Sequence, residues 1–186
     1  KEEARLTKAC KIMKNVKVLP YDCRLEVAQL ATGSSTWFGS PFHEPLERQK
    51  QKLEQSVKGT LLTSGQQSAA PEIIWTIHSR GHCILWQPST LISALRIVQA
   101  ALRAPETRRF VELFWERAAA SPVPRRCMSP FQLAYRELPK VGLLWTQPHL
   151  LTRAGKHIDI IETHWKELSH ELRDAWRKTL QAALVR

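Results

Sequence analysis

Cysteine is scarce in this sequence. The four that occur, Cys10, Cys23, Cys83 and Cys127, are widely spaced and include no CxxC pair. That pattern argues against a disulfide framework and fits free, mostly buried thiols in a reducing compartment. No apolar run approaches the roughly 20 residues of a membrane-spanning helix, so a membrane is not among the expected partners. A glycine-rich phosphate loop, a nucleophile elbow and an HExxH pair are all missing. An enzyme reading therefore has no residues to stand on; no catalytic residue is assigned and no cofactor is expected. Acidic side chains are outnumbered, 17 against 28 Lys and Arg, for a net charge of +11. Such an excess favours an anionic partner, nucleic acid or acidic lipid, and says nothing of fold.

What is present is ordinary for a folded chain. Apolar residues make up 43% of the 186, enough for one compact domain or two small ones. The positive charge is not a detachable tail, because residues 124–186 carry 11 basic and 6 acidic side chains and the remainder lies upstream. Glu2 and Glu3 sit poorly with an intact organellar transit peptide, which is poor in acids; a removed one is left open.

Along the chain, Leu6, Cys10, Met13 and Val16 form an apolar stripe on a basic helix over residues 2–16, with Lys8, Lys11 and Lys14 mostly off it. The stripe lacks Trp and Phe, so packing on a protein partner is preferred to lying on a membrane. Asp22 can cap a second helix carrying Leu25, Val27 and Leu30 and closed by Gly33. GSSTWFGSP (33–41) is a loop, and 46–57 is a thinly anchored helix with Leu46, Leu53 and Val57. Residues 59–71 form a flexible link. Residues 72–86 suit a hairpin at Ser79-Arg80-Gly81 or a helix entered through Pro71, with the helix preferred. Within them His78, His82 and Cys83 could supply metal ligands, but no fourth is near, and packed or surface residues are the preferred reading, so no metal is expected. Leu91, Leu95, Val98 and Leu102 mark a strong helix over 89–104. Phe110, Val111, Phe114 and Trp115 mark another over 105–120, and the two form an αα-hairpin across Ala104-Pro105. The Pro-rich basic SPVPRR (121–126) is the domain boundary, dividing a helical region, 1–123, from 124–186. The fold class expected for the whole is all-α.

Beyond the boundary, Ser129 and Pro130 signal a helix start. That helix presents Phe131, Ala134, Tyr135 and Leu138 until Pro139 stops or kinks it. A second helix is expected from about Lys156 to Leu168, with Ile158, Ile161, Trp165 and Leu168 on one face. Ser169 would cap a third carrying Leu172, Trp176 and Leu180. At these points the sequence resembles a known family. PRRCMSPFQLAYRE (124–137) resembles the opening of a high-mobility-group (HMG) box: a basic extended strand, a Ser, then an aromatic. WKELSHELRDAW (165–176) looks like the family's join between helices 2 and 3, and Trp165 follows Ser129 by 36 residues, close to the family's spacing. The resemblance covers about 124–185.

It implies an L-shaped three-helix domain, with Trp165, Leu168 and Trp176 in the core at its corner, whose concave face binds and bends a DNA minor groove. The implied nucleic-acid-binding residues are Arg125, Arg126, Ser129, Phe131, Gln132, Arg136, Arg153 and Lys156. The family's apolar wedges fall on Gln132 and Ala154, neither a large apolar wedge, so the box would kink a duplex poorly; its second helix-1 aromatic falls on Ala134, so that either Tyr135 substitutes or the register shifts. Ser129 fits the sequence-nonspecific branch. Ser-Pro-Phe recurs at 40–42, with Trp75, Ser79 and Trp86 at matching offsets; this is either a decayed second box over about 38–100 or coincidence. The poor helix-2 pattern of 42–72, Gly81 and Pro88 favour coincidence.

The expectation is a non-catalytic component of a ribonucleoprotein assembly, such as a mitochondrial ribosome subunit, contacting rRNA and neighbouring proteins, since RNA is held by shape and backbone and needs no wedges. Exposed-looking Trp37, Phe38, Trp115 and Trp145 suit burial among partners. The alternative is an HMG-box DNA-packaging or transcription factor of mitochondrion or nucleus.

Overall fold

The computed structural model describes residues 2–32, 46–62, 86–120 and 129–184. The linker expected at 121–126, the region 72–85 with its His78, His82 and Cys83, the second Ser-Pro-Phe (40–42), and Trp37 and Phe38 lie outside these residues. The chain divides into two compact units, the first drawn mainly from residues 1–89 and the second mainly from 90–182.

In the first unit, α1 (Glu2–Asn15), α2 (Tyr21–Leu30) and α3 (Glu47–Leu61) pack together. Leu6, Ala9 and Met13 of α1 are buried, as are Leu53, Val57 and Leu61 of α3. The expected stripe thus holds at Leu6 and Met13. Thr60 locks the pair: its Oγ1 donates to the Met13 carbonyl at 3.0 Å, and its own carbonyl accepts from Arg24 Nη1 at 2.7 Å. In α2 the expectation is corrected. Pro20 occupies the cap position, no side chain caps the helix, and Ala28 rather than Leu30 is buried. Of the cysteines described, Cys10 and Cys23 are free, and Cys23 is exposed.

The second unit takes in α4 (Trp86–Arg103) from Thr90 onward and α5 (Pro105–Ala120). Leu91, Leu95, Val98 and Leu102 are all buried, as their spacing predicts. The corner at Ala104 follows from Pro105, which has no N–H to continue the ladder. The freed carbonyls of α4 are taken by side chains of α5: Thr107 Oγ1 donates to Ala101 at 2.7 Å, and Arg108 Nε donates to Leu102 at 2.8 Å. On α5, Val111 is buried, but Phe110 is 66% exposed and leaves the expected face.

Then α6 (Pro130–Glu137) starts where expected. The Ser129 hydroxyl accepts from the Gln132 N–H at 3.2 Å, and the Gln132 side chain accepts from the Ser129 N–H at 2.9 Å. This reciprocal cap satisfies two donors that a helix start leaves open. Pro139 ends the helix in a 3-10 turn, Leu138–Val141, closed by Gly142 at φ 74°. Phe131 and Tyr135 pack on Phe114 of α5, which also meets Trp145. Trp145 itself is buried, and Trp115 donates to its carbonyl at 3.1 Å. These two tryptophans face inward, contrary to expectation.

The all-α expectation meets its main addition next. A three-stranded antiparallel sheet, in the order β1 (Leu144–Gln147), β2 (Leu150–Arg153), β3 (Lys156–Asp159), occupies the residues where the second helix should begin. Trp145, Leu151 and Ile158 are the buried members of its strands. Ala154 and Gly155 both have positive φ, 47° and 81°, the geometry of a two-residue hairpin turn that matches strand twist. Arg153 and Lys156 therefore face each other as a strand pair. The chain then turns back under Asp159, whose Oδ1 accepts from the N–H groups of Ile161 and Glu162 at 2.7 and 3.0 Å.

The last element is α7 (Trp165–Leu184), one uninterrupted helix. Ser169 starts no new helix; its hydroxyl donates to the Lys166 carbonyl at 3.0 Å within the same turn, a local bond that leaves the helix intact. Leu168, Leu172, Ala175 and Trp176 are buried, whereas Trp165 is half-buried beneath the Arg96 guanidinium. The chain is thus mostly helical, with one small sheet.

Candidate nucleic-acid interface

The residues singled out from sequence are placed as follows. Arg125 and Arg126 lie outside the described residues. Ser129 and Gln132 spend their polar groups on each other's backbone, and Phe131 packs on Phe114. Arg136 Nε donates to Glu137 at 2.8 Å, and Lys140 joins the same carboxylate. Glu137 is only 7% exposed, so both cations serve a carboxylate that is costly to bury unpaired. Arg153 grips α7: Nη1 meets Glu171 at 3.2 Å and Nη2 meets Asp174 at 2.9 Å. Lys156 also pairs with Glu171. Among the described residues, therefore, the cations expected to hold phosphate hold carboxylates of their own chain, and Ala154, at the expected wedge position, is the tip of a turn.

That network has an electrostatic signature. The hydrogen bond from Lys156 is the largest cause pulling the Glu171 carboxyl below the usual range, with Arg153 adding to it. For Asp174, partial burial pushes upward, but hydrogen bonds from Arg153 and Lys178 outweigh it and the net shift is downward. Opposite charges and hydrogen bonds to the ionised form act in this direction.

A different set of basic side chains is free. Lys166, His170, Arg173 and Arg177 on α7 are all exposed. None of their side chains has an ion-pair partner among the described residues. Their spacing of four, three and four residues puts them within about 60° of one another, on the side opposite the buried face. Glu167, Glu171 and Asp174 fall on the adjoining flank, where the sheet neutralises the last two. The helix is thus sorted into an apolar face, an acidic flank paired at Glu171 and Asp174, and a basic ridge. At 1.5 Å per residue, the ridge runs about 16 Å.

Beside its first turns, between β3 and α7, opens a groove of about 460 Å³. It is lined by Lys156, His157, Ile158 and Asp159 of β3, by Thr163, and by Lys166, Glu167, His170 and Glu171 of α7, so its lining is mostly charged and polar. The His157 ring is held by a 3.2 Å hydrogen bond between Nδ1 and the Thr152 hydroxyl. Two side chains of α4 brace the turn leading into this groove. The Gln99 amide, 4% exposed, donates to the carbonyls of Ile160 and Thr163 at 2.7 and 2.9 Å. Arg103 reaches Ile161 and Thr163 at 2.8 and 3.0 Å.

Among the described residues no group of three His, Cys, Asp or Glu could hold a metal ion, and no helix is long and apolar enough to cross a membrane. A comparison with family models, with curated proteins and with solved structures returned no match. The ridge escapes a sequence reading because Ser169, after a leucine, has the look of a helix break. A helical projection of 165–184 as one segment shows it.

Proposed function

We propose that the chain is a non-catalytic structural component of a ribonucleoprotein assembly, on the pattern of a mitochondrial ribosome subunit, holding RNA backbone and neighbouring proteins. The observation that carries this reading is the unpaired basic ridge of α7, in a chain of net charge +11. Exposed cations with no partner of their own are what a polyanion displaces counterions to reach. Neighbouring proteins would cover apolar side chains such as Phe110 and Leu144, both exposed. The resemblance to the HMG-box family supports the proposal only through the residue patterns of 124–137 and 165–176. The sheet at 144–159 stands where a second box helix would begin, and for that reason we assign nucleic-acid contact to α7 instead of a concave three-helix face.

The test is affinity for structured RNA and for duplex DNA across a salt series. Neutralising Lys166, Arg173 or Arg177 to Gln should weaken RNA binding and lower the salt slope by about one for each phosphate that is no longer neutralised. Unchanged slopes in all three variants would remove the ridge as the contact surface. Preferential binding of duplex DNA, with bending, would move the protein to the DNA-packaging alternative.

A further inference from the structure

The apolar stripe of α1 finds its partner inside the chain, on the α3 face that carries Leu53, Val57 and Leu61. What α1 turns outward is lysine. Lys8, Lys11, Lys14 and Lys17 recur at every third residue, from α1 into the 3-10 turn Val16–Val18, and all four are exposed. None of the four has an ion-pair or hydrogen-bond partner among the described residues, whereas Lys50 and Lys58 pair with Glu47 and Glu54 within α3. From Ala4 to Tyr21 the sequence contains no acidic residue, so nothing within that stretch cancels the row's charge. Each step of three residues rises about 4.5 Å and turns back by about 60°. The row therefore slants across the helix along an i±3 ridge, inclined about 45° to its axis.

We propose that this lysine row is a second phosphate-binding surface, so that the chain holds RNA backbone through its first unit as well as through α7. The proposal rests on the nucleic-acid reading of the chain and adds a contact that does not depend on the α7 ridge. A lysine ammonium is a compact point charge without the planar fork of arginine. Four in series suit successive phosphates and offer no sequence discrimination. A protein partner fits less well, because interfaces are depleted in lysine and anchored by aromatic residues and arginine, and residues 1–20 include no aromatic. A membrane surface also fits less well. A helix lying there sinks its apolar face into the interface, and Leu6, Ala9 and Met13 are already buried.

The experiment titrates the full chain with a structured RNA across a salt series. A triple variant, Lys8→Gln with Lys11→Gln and Lys14→Gln, removes charge from partnerless side chains and keeps helix propensity, so its thermal midpoint should match the wild type. Its salt slope should fall by about two to three, near one for each phosphate no longer neutralised. Arg117→Gln takes one charge from an exposed side chain of α5 and should leave the slope unchanged. The lysine proposal is overturned if the triple variant keeps the wild-type slope and affinity while Arg173→Gln lowers the slope; the α7 ridge would then stand alone. The reverse pattern supports the lysine row and removes the ridge. A drop in slope for Arg117→Gln equal to that of Lys11→Gln alone also overturns the proposal, since net charge would then set the binding. Vesicles of phosphatidylcholine and phosphatidylserine test a lipid surface, for which exposed Val18 would be the apolar contact. Lysine-dependent capture by these vesicles, with an RNA slope that the triple variant does not change, overturns the proposal in favour of lipid. Wild-type protein that binds no RNA overturns the ridge and the row together. Should the triple variant fold poorly, Lys11→Gln alone, expected to lower the slope by about one, keeps the test open.

Discussion

Ala154 holds a backbone conformation that alanine disfavours. Its φ of 47° places Cβ close to the following carbonyl, and in the left-handed region this costs roughly 1–2 kcal/mol for an L-residue with a side chain. The turn tolerates it because both central positions of such a hairpin need positive φ, and Gly155 meets that need freely. No neighbouring atom would lie within 4 Å of a Cβ at Gly155, so any penalty there is backbone strain alone. Ala154→Gly should therefore stabilise the protein, by about 0.5–1 kcal/mol once the greater freedom of glycine in the unfolded chain is deducted. Gly155→Ala should destabilise it by about 1 kcal/mol. Urea midpoints decide the matter; a lower midpoint in Ala154→Gly would show that the turn does not need this geometry.

At the scale of elements, two serines in helix-start sequence contexts behave differently. Ser129 caps α6 and accepts the Gln132 N–H, whereas Ser169 lies inside α7 and bonds back to Lys166. Ser129→Ala should cost about 1 kcal/mol, and Ser169→Ala less than about 0.5 kcal/mol. Equal costs in denaturant titrations would mean that α7 is broken at Ser169 after all. The pair also shows what the sequence makes legible. Helices α4 and α6 are readable because their signals are redundant: four buried residues in register in one, a Ser-Pro start with a following aromatic in the other. The sheet is not. Its strands are four residues long, so the buried alternation of Trp145, Leu151 and Ile158 is split by two turns, only one containing glycine. Meanwhile Ile158, Ile161, Trp165 and Leu168 satisfy a helical spacing by accident. The candidate site is half legible for a similar reason. Arg153 and Lys156 are plainly cations, but whether they meet phosphate or carboxylate depends on Glu171 and Asp174, brought near only by the hairpin and the return into α7.

For the molecule as a whole, that same network links folding to pH. Glu171 and Asp174 titrate lower in the folded chain than in the unfolded one. As pH falls, the unfolded state takes up protons first, so the ion pairs stabilise fully above the ordinary carboxylate range. Their contribution fades as pH drops through the lowered folded values. Because the groups are partly exposed and screened, the effect is modest. Arg153→Gln should lower stability at neutral pH and flatten the acid limb of a plot of urea midpoint against pH. Parallel wild-type and variant curves down to the acid limit would show that Arg153 does not set those carboxyls.

The buried Gln99 amide and the Trp115 indole also bear on how the chain could be divided. Both reach from α4 and α5 to residues beyond position 129, so two stretches of one compact unit are held by contacts other than the peptide bonds between them. A protease site engineered between Ala120 and Ser129 should yield, after cutting, two fragments that elute together in native buffer and separate only in denaturant. Fragments that drift apart without denaturant would show that the tether supplies the effective concentration on which the contacts depend. If they stay together, the molecule is a latent split protein, whose halves could be made separately and would regain their α7 surface only on meeting.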